Sequence, residues 1–173
     1  MKLVERAKAI TLRPREEWLV IERELSKLSD LFTYVAILAA IPEIANFIGQ
    51  SLIGGYKPIV PALLRAVIVY VVTFAMVYVV AGVIDLLAPR FGGKKNFPNA
   101  IKLSVYSHTP LWLAGIFLAV PGLSFLLILG LYGFYLLWVG LPLLMGVPRY
   151  RALSYAIFVT VCALIPATVL AIV

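Results

Sequence analysis

Side chains able to carry chemistry are scarce in this chain. Its 173 residues hold one histidine, His108, one cysteine, Cys162, and 8 acidic residues. A lone cysteine inside an apolar run excludes an internal disulfide and any CxxC or zinc-type cluster, and one histidine cannot build the usual metal sites. HExxH, GxSxG and the phosphate-binding P-loop are all missing. A two-aspartate intramembrane protease would need two aspartates within spans, and only Asp85 falls in one. Neither an enzyme nor a bound cofactor is expected. The first 30 residues alternate charged and apolar positions, so no cleavable signal peptide is read there.

Charge is also sparse, at 13% of residues against 63% hydrophobic. That much apolar surface cannot be hidden behind so little polar cover in a soluble domain, so lipid must be the solvent for most of the chain. Runs long enough to cross a bilayer, roughly 20 residues each, lie near Leu31 to Ile53, Ala62 to Leu87, Leu103 to Val120, Leu123 to Met145 and Ala152 to Val173. Proline and glycine mark the breaks, and only Pro121 and Gly122 separate the third run from the fourth. The expected fold is an all-α integral membrane protein: five transmembrane helices over residues 31–173, preceded by an amphipathic cytoplasmic segment, residues 1–30.

The net charge of +7 sets the orientation. Lys2, Arg6, Lys8, Arg13, Arg15, Arg23 and Lys27 precede the first run. Arg90, Lys94, Lys95 and Lys102 follow the second, and Arg149 and Arg151 follow the fourth. Of the 15 basic residues only Lys57 and Arg65 fall on the other side, which reads as N-in and C-out. Spread over loops rather than gathered in a stripe, these charges do not suggest a nucleic-acid partner. In the N-terminal segment Pro14 opens a helix, Glu16 and Glu17 complement its dipole, and Trp18, Ile21, Leu25 and Leu28 form an apolar stripe. That stripe lies either in the membrane interface or against the ends of the bundle.

RPREEW (Arg13 to Trp18), APRFGG (Ala88 to Gly93), KLSVYSHTPLWLAGI (Lys102 to Ile116) and GLYGFYLLWVGLPLLM (Gly130 to Met145) resemble the short prokaryotic members of the Yip family. The resemblance spans nearly the whole chain, with the motifs in the same order and spacing. It implies a five-span fold with a cytoplasmic N-terminus. Eukaryotic relatives are associated with Rab GTPases and vesicle traffic through a longer N-terminal region with a DLYGP-like motif, which this chain lacks. The resemblance therefore points to the plasma membrane of a prokaryote and to no settled activity.

Polar residues inside spans are costly and ask for a role. Glu43, Asn46 and Gln50 share one face of the first span, and Arg65 enters the second near the same end, which suggests a polar cluster of these four. It reads either as a hydrogen-bonded seam or as a solute path. Asp85 and His108 lie at similar depth and could relay protons, or merely cap helix ends. Gly130, Gly133 and Gly140 fall on one side of the fourth span and permit close helix approach. The leading expectation is a non-enzymatic membrane-organising or scaffold protein, with the lipid bilayer, further copies of the chain or other membrane proteins as partners. The rival is a small transporter or channel with its path at Glu43.

Overall fold

The computed structural model describes residues 3–55 and 57–172, and side chains as far as Leu164; the Lys2 charge and the Val173 end of the last run lie outside the described residues. Every regular element within them is helical. Two short helices, α1 (Leu3–Leu12) and α2 (Pro14–Arg23), precede α3 (Leu28–Phe47), which passes into a π-helical stretch, Ile48–Ile53. The second long helix is α4 (Ile59–Leu87). After a 3-10 turn at Ala88–Phe91 come α5 (Phe97–Ser107), α6 (Thr109–Ala114) and a 3-10 stretch at Gly115–Ala119. A second 3-10 stretch, Ser124–Leu131, leads into α7 (Tyr132–Met145), and α8 (Arg149–Ile172) ends the chain.

Among the described residues three helical segments, not five, are long and apolar enough to cross a membrane: Leu28–Ile53, Ile59–Phe91 and Ser124–Met145. The expected third span is broken. Pro110 has no N–H for the Tyr106 carbonyl, so the helix ends at Ser107, resumes at Thr109 and tightens from Gly115. The segment still packs as part of the bundle. The 115–119 stretch lies along α3, where a Cβ on Gly115 would come within 2.4 Å of Pro42. As expected, the chain reverses at Pro121 and Gly122, the glycine having φ of +93°.

The N-terminal reading needs a second correction. The helix opened by Pro14 stops at Arg23, because Glu24 is extended (φ −80°, ψ 128°). Trp18 and Ile21 are wholly buried, whereas Leu25 is 98% exposed and Leu28 belongs to α3. The stripe is thus two residues long. It docks on α7, with the Trp18 indole donating to the Leu136 carbonyl at 3.0 Å.

The core runs from Trp18 and Ile21 through Ile84, Leu103, Val105, Leu136 and Leu141 to Tyr155. Outside it, Val67, Val71, Phe125, Ile128 and Phe158 stand more than half exposed on three different segments. An apolar belt of that kind has no stable place in water. The three basic segments meet at one end of the bundle. The Lys94 amide donates to the Met145 carbonyl at 2.9 Å, Asn99 Nδ2 to the Leu144 carbonyl at 2.9 Å, and Lys102 Nζ to carbonyls of the N-terminal segment.

Candidate functional site

Buried charge concentrates at this basic end. Arg6, on α1, is 5% exposed, and its guanidinium donates to Glu17 on α2 and to Glu24 just beyond it. Both carboxylates come from α2 or the residue that caps it, so the fork of the guanidinium fixes the angle between α1 and the end of α2. The same group lies 5.8 Å from the centre of the Tyr106 ring on α5, a cation–π contact. Lys102, one turn earlier on α5 and 6% exposed, donates to the Ile21 carbonyl at 3.0 Å and the Glu24 carbonyl at 2.7 Å. The Ile21 carbonyl lacks an intrahelical donor because α2 ends there, and the Glu24 carbonyl also accepts from the Ser26 amide at 2.9 Å, so a lysine completes a helix C-terminus whose dipole favours a cation. Burial pushes the Lys102 amine below its ordinary pKa, Glu24 and Glu22 oppose that shift, and Arg6 adds to it.

Aromatic rings extend the cluster into the bundle. Tyr106 meets Trp18 and Tyr34 edge to face, with centroids 6.2 and 5.1 Å away, and the Tyr34 hydroxyl lies 2.9 Å from Thr109 Oγ1. A cavity of about 230 Å³ opens beside Arg6, Glu24, Asp30 and Tyr34. The whole arrangement clamps the N-terminal helices to α5 and α7. Within it Arg6 and Lys102 are bonded to Glu17, to Glu24 and to backbone carbonyls.

The residues singled out from sequence are placed differently. Gln50 donates to Asn46 one turn earlier. Glu43 borders a groove of about 260 Å³ between α3 and α4 lined by Ile44, Phe47, Leu63, Val67 and Tyr70, and its Oε2 is buried without a hydrogen-bond partner among the described residues. Arg65 is half-buried, and neither ion pair found among the described residues includes it. His108 sits at the break between α5 and α6. Its Nδ1 lies 2.6 Å from the Ser104 carbonyl and its ring stacks on Trp112. Asp85 Oδ1 has no partner among the described residues, and no hydrogen bond joins Asp85 to His108. The three glycines mark close approaches. A Cβ on Gly130, Gly133 or Gly140 would lie 2.6 Å from Leu111, 2.3 Å from the Ser107 carbonyl oxygen, or 2.6 Å from Leu103.

Sequence reasoning missed the Arg6, Glu17, Glu24 and Lys102 constellation. The available signal was the clustering of both charge signs in a segment that also holds a tryptophan. Its partners lie 11, 18 and about 80 residues apart, beyond any helical period.

A helical bundle with an apolar outer belt and one strongly basic end is an integral membrane protein. Residues 8–171 match the Yip1 domain. The inner membrane protein YohC of Escherichia coli K12 is 31% identical to this chain over 156 residues, an alignment covering 83% of this chain and 80% of that protein, and the same protein of Escherichia coli O6:H1 is equally similar. The chain belongs to the Yip1 domain family. No solved structure matches it.

Proposed function

We propose that this chain is a non-enzymatic membrane-organising or scaffold protein of a prokaryotic plasma membrane. It crosses the bilayer five times, the broken segment Leu103 to Val120 and α8 adding to the three continuous spans, with the N-terminus in the cytoplasm. The positive-inside asymmetry supports that count, since thirteen basic residues then share the cytoplasmic side.

The observation that carries the scaffold reading is the clamp on α1 and α2. Arg6 and Glu24 border the cavity of about 230 Å³, but the charges of Arg6 and Lys102 are tied to Glu17, Glu24 and backbone carbonyls, which gives a fixed cytoplasmic platform for a second copy or another membrane protein to dock on. Chemical crosslinking in native membranes followed by affinity capture tests it. The wild-type chain should retain itself or a membrane partner in fixed ratio, and Arg6→Met, which loosens the platform, should lose it. Equal capture by both would count against the proposal.

The rival, a small transporter or channel, draws on the unpartnered Glu43 oxygen beside its groove. Solute or proton flux in proteoliposomes that disappears in Glu43→Gln would establish the rival and overturn the scaffold.

A further inference from the structure

A second groove, of about 400 Å³, lies between α2, α7 and α8 at the basic end. Leu19, Trp138, Pro142 and Leu143 line it with apolar surface, and Arg15 and Arg149 complete it; no acidic side chain takes part. Its volume is that of an ordinary ligand pocket, ~300–1,000 Å³. Arg15 stands in the first turn of α2 and Arg149 opens α8, and both are exposed. Both ion pairs among the described residues are made by Arg6, so neither of these arginines has a carboxylate partner there.

The neighbouring surface says what kind of molecule fits. Leu153 and Ile157 follow Arg149 at one and two turns along α8, and both are nearly half exposed. The same face therefore runs from cation to hydrocarbon down the helix axis. A soluble anion would satisfy the arginines and leave this apolar strip uncovered. A fatty chain alone would leave two guanidiniums facing nothing. One molecule with an anionic head and a hydrocarbon tail satisfies both, and basic pockets beside helix ends are recognised sites for such head groups.

We infer that this groove holds one anionic phospholipid, its phosphate between Arg15 and Arg149 and its glycerol and upper acyl chain on Leu19, Trp138, Pro142 and Leu143. The ring of Trp138 is 37% exposed, so it touches the lipid directly and reports on it.

The test uses the full chain, delipidated in detergent. Native mass spectrometry measures binding of phosphatidylglycerol against phosphatidylcholine, and brominated phosphatidylglycerol measures quenching of Trp138 fluorescence, assigned with Trp138→Phe. Phosphatidylglycerol should bind at least about tenfold tighter than phosphatidylcholine and quench Trp138. Two phosphate-facing cations lost in Arg15→Gln, Arg149→Gln should weaken it about thirtyfold. Arg15→Lys, Arg149→Lys should keep most of the affinity, and Lys57→Gln all of it. Equal binding of the two lipids, an unchanged double glutamine variant, or glycerol phosphate alone competing at the lipid's own concentration would overturn the inference. The lipid preference of the wild-type chain read by mass spectrometry needs no substitution, so a variant that fails to fold does not rescue the idea.

Discussion

Replacing Arg6 with methionine keeps an unbranched apolar stem and removes the guanidinium. Glu17, whose side chain is 9% exposed, is left as a buried carboxylate without its cation, while Glu24, at 38%, can turn to water. Removing one partner of a buried pair costs about 3–5 kcal/mol, and a pair as open as Arg6 with Glu24 contributes at most ~1 kcal/mol. The loss falls on the packing of α1 and α2 against the bundle, since Arg6 joins α1 to α2 and to Tyr106 on α5. At the lower figure the population with these helices open rises roughly a hundredfold. Trypsin reads that population, because cleavage after Lys8 in α1 and after Arg15 in α2 requires local opening of those helices. In proteoliposomes Arg6→Met should be cut at these sites many times faster than the wild type, and Arg6→Met, Glu17→Met should recover most of the resistance. Wild-type cutting rates in the single variant, or equal rates in single and double variants, would refute the role given to the buried carboxylate.

Three further outcomes follow from the packing. Gly133→Ala sets a methyl 2.3 Å from the Ser107 carbonyl oxygen, whereas Gly82→Ala meets nothing within 4 Å. The first should lower the thermal midpoint in detergent by the equivalent of about 1–3 kcal/mol and the second should not. Burial holds the Lys102 amine below its ordinary value of 10.5. Above the folded pKa, then, the native state has released a proton that the unfolded chain keeps up to 10.5, and stability relative to Lys102→Met should rise with pH through that window; a relative fall in the thermal midpoint would contradict it. Glu43 has no cation within ion-pair distance among the described residues, so Glu43→Gln should not destabilise the chain, and Glu43→Gln with Arg65→Gln should match Arg65→Gln alone. A drop in thermal midpoint specific to Glu43→Gln would contradict this and mean that Glu43 is paired with a cation.

Long apolar runs were legible without a structure, because hydrocarbon thickness sets their length whatever the tertiary context. Leu28–Ile53, Ile59–Phe91 and Ser124–Met145 lie within a few residues of the runs read from sequence. The turn at Pro121 and Gly122 was legible for the same local reason. The third run misled because hydropathy is blind to hydrogen bonding: Leu103 to Val120 holds no Asp, Glu, Lys or Arg, yet Pro110 and the tightening at Gly115 divide it into three pieces. In the N-terminal segment the periodicity placed Trp18 and Ile21 correctly and then overran α2, since nothing in the pattern marks Glu24 as extended. The clamp was illegible for a deeper reason. Whether Arg6 and Lys102 are solvated or buried depends on which distant helix ends lie over them, and sequence patterning reports only the faces of single helices.

Hydrogen–deuterium exchange of the whole chain in lipid nanodiscs tests most directly whether the N-terminal helices form part of the bundle. If the Arg6, Glu17, Glu24 and Lys102 clamp and the Trp18 anchor hold as described, the amides of Val20 to Arg23 should exchange as slowly as those of α5, to which Lys102 ties them. Exchange in that stretch as fast as at the exposed Gly146 amide would mean that α1 and α2 are free of the bundle, and the fixed platform would not exist.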